Sequence, residues 1–319
     1  MNASTSCPRA SVIMRCKNSD WVIGQTLAAL FSQDFRDFEL IVVDSGSQDG
    51  TLDLVRQYPC QLIEIEPTAY VPGAVLNMAA EQARGELLVF LNSDTVPLTA
   101  DCLRRLLAAF DDAQVSAAFA RQTPRPEAET WVRRDYVSSF PSRGEAPPWI
   151  TLSLPLAAMR REVWARRPFY RDAWASEDTE WGQWARNEGL AIRYVPEAVA
   201  MHSHNYTLRQ IYGRRFVEGE ADAFIYGSDD SWTAALGRAV ASTVRDLGAA
   251  LSRCDWRAAI AAPTRRLVYQ WAYRRGRRHG WQRRQSGDLD LSAGQDVILK
   301  RHDAATPRFN PGNQAATHS

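Results

Sequence analysis

Residues 11–51, SVIMRCKNSDWVIGQTLAALFSQDFRDFELIVVDSGSQDGT, determine the expected fold of the amino-terminal half. Ser11–Cys16 is a short β-branched run typical of a buried strand, and Glu39–Val43 is a second one. Between them, from Asp20 to Gln33, apolar residues recur at helical spacing. A strand, a helix and a strand joined by short connections indicate a βαβ unit with parallel strands.

The same alternation continues to residue 110. The further predicted elements are a helix at Thr51–Tyr58, a strand at Gln61–Ile65, a helix at Ala74–Ala83, a strand at Glu86–Leu91 and a helix at Ala100–Phe110. This order predicts an α/β fold, Rossmann-like, with a mostly parallel sheet flanked by helices on both faces.

The carboxy-terminal half is less regular. A strand is expected at Val115–Ala120, and the Pro-, Arg- and Glu-rich stretch Thr123–Pro148 is interpreted as a long functional loop. The remaining predicted elements are a helix at Asp178–Asn187, a strand pair near Ala191–Val195 and Val199–Ser203, a helix at Leu208–Tyr226, and helices from Trp232 to about Arg284 with breaks near Asp255 and at Pro263. We therefore expect an α/β domain at 1–226, a basic amphipathic helical appendage at 227–286 and a disordered tail at 287–319.

Composition excludes some partners and compartments. The chain has 319 residues and a formal net charge of +1, so no global charge favours nucleic acid. The five cysteines are scattered without metal or disulfide spacing, which favours a reduced, cytoplasmic location. No apolar stretch reaches the ~20 residues of a spanning helix, and the first residues lack a signal-peptide pattern.

Polar clusters follow three of the predicted strands. They are Lys17-Asn18, Asp44-Ser45 and Asn92-Ser93-Asp94. Ligands of open α/β sheets bind outside the carboxyl ends of the strands, so these clusters predict one polar cleft. The alternative is that they are ordinary turn formers.

The sequence lacks a glycine-rich phosphate loop. Neither a Gly-x-x-x-x-Gly-Lys-Ser/Thr motif nor a Gly-x-Gly-x-x-Gly motif follows the first strand. A phosphate-bearing ligand would then need another positive partner, and a carboxylate-bound Mg²⁺ or Mn²⁺ provides one. Asp94, directly after a buried strand, is the candidate ligand.

Three motifs in this order resemble the family 2 glycosyltransferases. They are residues 11–51 quoted above, PGAVLNMAAEQARGELLVFLNSD at 72–94 and WASEDTEWGQWARNEG at 174–189, and the resemblance spans Ser11 to Glu220. It implies a GT-A fold and an enzyme that transfers sugar from a nucleotide-sugar donor. The rival enzyme class, a nucleotidyltransferase, would need a glycine-rich loop where Arg15-Cys-Lys-Asn18 stands.

The resemblance also implies roles for individual residues. The donor nucleotide would lie beside the first two strands, and the helix before the metal motif would flank it. The implied donor-binding residues are Arg15, Asn18, Asp44, Ser45, Gly73, Asn77, Asn92 and Ser93. For Gly73 and Asn77 the alternative is a turn glycine and a buried structural amide.

The acidic motif Glu177-Asp178 supplies the implied general base, Asp178, with Glu177 beside it. An ordinary helix start is the alternative, since Ser, Glu and Asp are common there. His202 and His204 lie two apart on an expected strand and so face the same side. Relatives use a histidine after the acidic motif as a metal ligand, which makes both candidates beside Asp94; structural or phosphate-contacting histidines are the alternative.

Two departures from the family pattern narrow the resemblance. Ser45 stands where many members have a second aspartate, and Asn92-Ser93 precede Asp94 where a first carboxylate is usual. Both variants resemble the branch that contains bacterial rhamnosyltransferases and other O-antigen or capsule enzymes. That branch favours a dTDP-rhamnose-like donor, with a UDP-hexose as the alternative, and a glycan or lipid-linked acceptor. A non-catalytic sugar-nucleotide or glycan-binding module is the rival from another class.

The stretch from Trp256 to Gly287 has nine arginines, no acidic residue and interleaved aromatic residues. Arginine with aromatic residues suits an anionic membrane surface. We therefore expect peripheral contact of residues 256–287 with the inner face of the cytoplasmic membrane, the alternative being a helical appendage with a solvated basic face.

Overall fold

The structure, a computed structural model, describes residues 7–287. Eight strands form a single sheet. They are β1 (Ala10–Cys16), β2 (Phe38–Asp44), β3 (Gln61–Glu64), β4 (Leu87–Leu91), β5 (Val96–Pro97), β6 (Val115–Thr123), β7 (Leu156–Arg160) and β8 (Ala191–Met201). Their order across the sheet is β3-β2-β1-β4-β7-β6-β8-β5.

Ten α-helices accompany this sheet in the described part of the chain. They are α1 (Ile23–Phe31), α2 (Thr51–Val55), α3 (Pro72–Gln82), α4 (Cys102–Leu107), α5 (Thr130–Ser139), α6 (Arg161–Arg166), α7 (Glu177–Asn187), α8 (Leu208–Tyr226), α9 (Trp232–Leu251) and α10 (Trp256–Ser286). Two short 3₁₀ turns, Pro67–Ala69 and Ala108–Asp111, complete the set.

Strand direction places one set of carboxyl ends on a single edge. β1 is parallel to β2 and β4, and β2 is parallel to β3. β7 is antiparallel to both β4 and β6, so β6 and its parallel neighbour β8 run the same way as β4. The expected mostly parallel sheet is confirmed, with β7 and the short edge strand β5 as its antiparallel members.

The core lies on both faces of the sheet because helices cover both. In β4, Leu87, Val89 and Leu91 pack on the side of α1 and α4, whereas Leu88 and Phe90 pack on the side of α3 and α7. All five side chains are buried. This two-sided burial explains the uninterrupted apolar runs in the sequence.

Two predictions for residues 123–203 are wrong. Thr123–Pro148 is not a continuous loop, because α5 forms inside it and buries Trp131 and Val132. The expected strand pair near Ala191–Val195 and Val199–Ser203 is the single strand β8, in which residues 196–198 form a bulge between two stretches paired with β6.

The appendage is a helical hairpin packed on α8. A predicted break near Asp255 is confirmed, since Asp255 caps α10 by accepting from the Ala258 N–H at 3.0 Å. The break predicted at Pro263 is wrong: α10 continues through it. Ala262 and Arg266 on either side are both buried, so tertiary packing maintains the helix despite the missing N–H.

Within residues 7–287, no helix combines the length and apolarity needed to cross a membrane. Gly287, in the left-handed region with φ 68°, ends α10. The disordered tail expected at 287–319 lies, from residue 288 onward, outside the described residues.

Candidate active site

The three polar clusters lie together at the carboxyl edge of the sheet. The Ser45 N–H donates to the Cys16 carbonyl at 3.1 Å, which joins the ends of β1 and β2. The Gln48 N–H donates to Asn18 Oδ1 at 2.8 Å, and the Ser19 and Ser93 hydroxyls lie 3.0 Å apart. The three clusters therefore share one edge of the sheet, as expected, and a ligand-binding cleft there stays a prediction.

Asp44 shapes the loop after β2. Its carboxylate is buried and accepts the Gly46 and Ser47 N–H groups at 2.9 and 2.8 Å. Gly46 has φ 80°, a conformation that favours glycine. The nucleotide-binding role of Asp44 and Ser45 stays a prediction; the contacts present are to their own loop and to Cys16.

Gly73 and Asn77 on α3 hold the segment that precedes the acidic motif. A Cβ at Gly73 would lie 1.9 Å from the Tyr170 carbonyl oxygen. The buried Asn77 amide donates to the Phe169 carbonyl at 2.8 Å and accepts from the Phe169 N–H and the Trp164 indole. These contacts are structural, and a direct contact with the donor stays a prediction.

Asp94, His202 and His204 form one cluster, since the ends of β4 and β8 meet at the same edge. Asp94 Oδ2 lies 2.8 Å from His204 Nε2, and Asp94 Oδ1 lies 3.6 Å from His202 Nε2. One ligand atom from each residue lies within 4.8 Å of the other two. Burial alone would raise the Asp94 pKa, but the two imidazoles hold it below its ordinary range.

Gln122 at the end of β6 determines how His202 presents its ring. The amide oxygen of Gln122 lies 2.8 Å from His202 Nδ1, and its amide nitrogen donates to Ser153 Oγ at 2.7 Å. Because the Gln122 oxygen can only accept, Nδ1 carries the proton and Nε2 keeps its lone pair toward Asp94. Burial lowers the His202 pKa to about 3, so the ring is neutral near pH 7.

A cation fits this cluster. His202 Nε2 and Asp94 Oδ1 are two acceptors facing each other without a proton between them. A divalent ion would satisfy both, and the Gln122 contact is the kind of outer partner that orients a ligating histidine. Asp94, His202 and His204 could therefore hold a metal ion.

Arg125 also lies at this edge and was not found from the sequence. Its side chain is buried, donates from Nη2 to the Asp94 carbonyl at 2.7 Å and lies over the Trp21 ring. β6 was expected to end at Ala120, which left Gln122 unassigned and placed Arg125 in the expected loop Thr123–Pro148. The apolar run stops at Ala120, whereas β6 continues through polar residues to Thr123 and Arg125 lies two residues beyond it, so apolar periodicity could locate neither Gln122 nor Arg125.

The acidic pair opens α7 near the end of β1. Glu177 is buried and forms an ion pair of 2.7 Å with Arg15. Asp178 accepts the Thr179 N–H at 2.8 Å and the Leu154 N–H at 3.3 Å. Burial, followed by the neighbouring Glu177 charge, raises the Asp178 pKa to about 6. Asp178 is thus a carboxylate that can take up a proton near neutral pH.

Residues 153–155 connect the two halves of the site. Ser153 supports Gln122 behind His202, the Leu154 N–H contacts Asp178, and the Pro155 carbonyl accepts the Asn92 N–H at 3.0 Å. Residues 153–155, which directly precede β7, thus contact one carboxylate of the acidic pair and one residue on each side of the Asp94 cluster. The arrangement places a candidate metal centre and a separate candidate base at one edge of the sheet.

The sheet, its flanking helices and this edge cluster define a GT-A fold, and solved structures agree. A mannosyltransferase from Pyrobaculum calidifontis, solved with GDP-Man and Mn²⁺, matches with a TM-score of 0.60 at 20% identity, over 86% of this chain and 88% of that one. The family model named glycosyl transferase family 2 matches residues 11–166. Residues 11–166 are therefore similar to a family 2 glycosyltransferase domain.

Two curated relatives extend the similarity. The O-antigen chain rhamnosyltransferase WbaN of Salmonella anatum is 29% identical over 197 residues, 57% of this chain and 61% of that protein. The O-antigen chain rhamnosyltransferase RfbN of Salmonella typhimurium is 26% identical over 224 residues, 66% of this chain and 71% of that protein. The match to WbaN thus spans about three fifths of that relative's length.

Proposed function

We propose that this chain is an inverting, metal-dependent glycosyltransferase that moves a sugar from a nucleoside-diphosphate donor to a glycan or lipid-linked acceptor during surface-polysaccharide synthesis. The observation that carries the proposal is the Asp94–His202–His204 cluster, linked through residues 153–155 to Asp178. A non-catalytic binding module would not need a carboxylate whose pKa is raised to about 6.

The proposed cofactor is a divalent metal held by Asp94, His202 and His204. Two imidazoles and one carboxylate favour Mn²⁺ over Mg²⁺, because Mg²⁺ strongly prefers oxygen ligands. Bound there, the metal would supply Lewis-acid stabilisation for the negative charge that develops on the departing diphosphate.

The chain's own side chains account for the proton. Asp178 would accept the proton of the acceptor hydroxyl as that oxygen attacks the anomeric carbon and the bond to the diphosphate breaks. Arg15, paired with Glu177, lowers the Asp178 pKa, while Glu177 raises it. With Asp178 on the face of the sugar opposite the departing diphosphate, the reaction would be a single displacement with inversion, as in inverting glycosidases.

The activities named for the two relatives indicate which donor to expect. Both curated relatives named above are O-antigen chain rhamnosyltransferases, which supports a dTDP-rhamnose-like donor. A UDP-hexose is the second candidate. A growing, lipid-linked O-antigen-like glycan is the matching acceptor, and the inner face of the cytoplasmic membrane is the matching site of action.

Thermal-shift titration with dTDP, UDP and GDP, each with and without Mn²⁺, tests the proposal. We expect dTDP with Mn²⁺ to stabilise the wild type most and Asp94→Ala to lose the Mn²⁺-dependent part of the shift. A transfer assay with the stabilising nucleotide's sugar should be abolished by Asp94→Ala and by chelator. Full transfer activity in excess chelator would exclude the metal-dependent mechanism.

A further inference from the structure

The α9–α10 hairpin carries an apolar outer surface. On α9, Trp232, Leu236, Val240 and Val244 recur every four residues, and each is 57–62% exposed. The buried side of the same helix contains the polar residues Ser242 and Asp246. This pattern is the reverse of an ordinary surface helix, whose apolar stripe faces the core.

α10 continues the same surface. Trp256, Ile260, Leu267 and Trp271 follow one another at helical spacing, and all are exposed, Ile260 by 81%. A groove between the helices is lined by side chains of both, including Trp232, Leu236, Leu267 and Trp271, so the two stripes adjoin. Of the fourteen large apolar side chains exposed among the described residues, nine lie on this hairpin, and such clustering marks an interaction surface.

The charges on the hairpin have one sign. Residues 232–286 contain twelve arginines and two carboxylates. Asp246 is buried in ion pairs and Asp255 caps α10, whereas six arginines are exposed, namely Arg245, Arg253, Arg257, Arg275, Arg278 and Arg284. Arg275 and Arg278 follow Trp271 along the exposed line of α10. The apolar surface is therefore bordered by cations, without an exposed carboxylate in residues 232–286.

The inner side of the hairpin packs against other parts of the chain. Asp246 forms ion pairs of 2.6 Å with Arg266 on α10 and with Arg134 on α5. Arg274 is buried against the Trp232 ring, and Arg283 forms a 2.6 Å ion pair with the buried Glu220 of α8. Several arginines of the basic stretch thus have structural roles, whereas the exposed apolar side chains of the outer surface are available to bind a partner.

We propose that the outer surface of α9 and the first half of α10 is a docking surface for an anionic lipid bilayer. Exposed tryptophan and aliphatic side chains would enter the interface, while the bordering arginines would contact acidic headgroups. A second copy of this chain fits less well, because a two-fold contact would bring like-charged arginines together.

The sequence led us to expect membrane contact through residues 256–287 alone. The proposed surface differs from that expectation, because α9 supplies half of it and only four of the nine arginines at 256–287 are exposed. The biological purpose rests on the proposed function: a surface-bound enzyme would meet a lipid-linked acceptor while its donor arrives from solution. Lipid binding itself does not require catalysis, so the two proposals can fail separately.

Co-sedimentation of the full-length protein with vesicles tests the surface. Phosphatidylcholine vesicles with and without phosphatidylglycerol are compared at low and high salt. We expect binding to anionic vesicles that salt weakens, and a loss of at least about tenfold for the double variant Leu236→Asp with Val240→Asp. The matched control is Val137→Asp on α5, which is 69% exposed outside this surface and should bind like the wild type.

Three outcomes would overturn the inference. One is a wild type that ignores anionic vesicles at low salt, and another is a double variant that binds as tightly as Val137→Asp. The third is a dimer, seen by light scattering, that the double variant dissociates, which would make the surface an interface between copies. Circular dichroism verifies folding, and metal-dependent nucleotide binding measured without vesicles reports separately on the proposed function.

Discussion

Glu177 and Asp178 are adjacent in the sequence but have different partners. Glu177 is paired with Arg15, whereas Asp178 accepts two backbone N–H groups and has a pKa raised to about 6. Pairs of titratable groups whose environments separate their pKa values are typical of acid–base sites. Asp178 is accordingly the carboxylate whose protonation changes near physiological pH.

Replacing Asp178 with asparagine tests this difference. The amide preserves size and can still accept the backbone N–H groups, but it cannot take up a proton. We expect turnover to fall by about 10²-fold or more, with donor binding nearly unchanged. Steady-state kinetics and nucleotide titration measure the two effects. Normal turnover in Asp178→Asn, together with a large loss in Glu177→Gln, would transfer the role of base to Glu177.

The pH dependence of turnover follows from the same pKa. A base must be deprotonated to act, so turnover should rise with pH through about 6 and fall about tenfold per unit below it. The Asp178→Asn variant should lack this acidic limb. Mn²⁺ affinity is measured at each pH as a control, since a parallel loss of metal at low pH would produce the same limb for another reason.

Gln122 is expected to position His202 for the metal. Its amide oxygen fixes the proton on Nδ1, whereas in Gln122→Leu the remaining neighbour of Nδ1, the Tyr136 hydroxyl, can donate and so permits the other tautomer. We therefore expect Gln122→Leu to weaken Mn²⁺ binding about 10–100-fold. Electron paramagnetic resonance of free Mn²⁺ measures this affinity directly. Gln122→Glu, which keeps an acceptor for Nδ1, should bind more tightly than Gln122→Leu. Equal affinities for both variants and wild type would contradict the positioning role.

The candidate site could be predicted where its residues follow apolar strands. Strand-end reasoning located Asp94, which lies three residues after β4, and the family resemblance located His202 and His204. The two histidines follow β8 and do not lie on the strand expected there. Gln122 and Ser153 come together only through pairing between β6, β7 and β8, which sequence periodicity does not show. Sequence alone likewise left open whether Asn77 binds the donor or is a buried structural amide. Its hydrogen-bond partners are about ninety residues away, so no local pattern shows them.

At the scale of elements, apolar patterns predicted the helices and strands of the first 110 residues well. They failed where an element depends on distant packing. α5 is stabilised by ion pairs with α9 and α10, more than a hundred residues along the chain. α10 passes through Pro263 because its flanking residues are buried in tertiary contacts. In both cases the stabilising partner is invisible to a local pattern.

Close packing of α8 on α10 depends on glycines. A Cβ at Gly276 of α10 would lie 1.9 Å from the Phe216 carbonyl oxygen, so Gly276→Ala must separate the helices. We expect a loss of about 2 kcal/mol or more in unfolding free energy, as for other overpacked sites. Gly237→Ala on the outer side of α9 is the matched control. Its Cβ would meet no heavy atom within 4 Å, and the change should stabilise the helix by about 0.5–1 kcal/mol.

Chemical denaturation of both variants measures these two changes in unfolding free energy. The opposite signs arise from the same substitution in two helices of one hairpin, so a general effect of alanine on helix propensity cannot explain them. If Gly276→Ala is as stable as Gly237→Ala, the close approach of α8 and α10 is wrong.

At the scale of the whole molecule, α5 connects the appendage to the candidate metal site. Arg134 and Asp135 of α5 pair with Asp246 and Arg266 of the hairpin. The next residue, Tyr136, has its hydroxyl 3.2 Å from His202 Nδ1. The predicted boundary between residues 226 and 227 therefore separates segments that share buried charges and helix packing, and whether they behave as separate domains stays a prediction.

These contacts lead us to expect one cooperative unfolding transition for the catalytic domain and the appendage. Asp246→Ala should lower the Tm of that transition by on the order of 10 °C, because it leaves the buried Arg266 and the half-buried Arg134 without their shared carboxylate. The exposed pair of Arg9 and Asp111 supplies the control, and Asp111→Ala should change Tm by about 2 °C or less. Differential scanning calorimetry with and without Mn²⁺ and nucleotide measures both. A shared transition must shift as a whole when ligand binds the sheet edge, since ligand binding stabilises every part that unfolds with the site. Two transitions, of which Asp246→Ala lowers one and ligand raises the other, would instead show that the hairpin unfolds independently of the site.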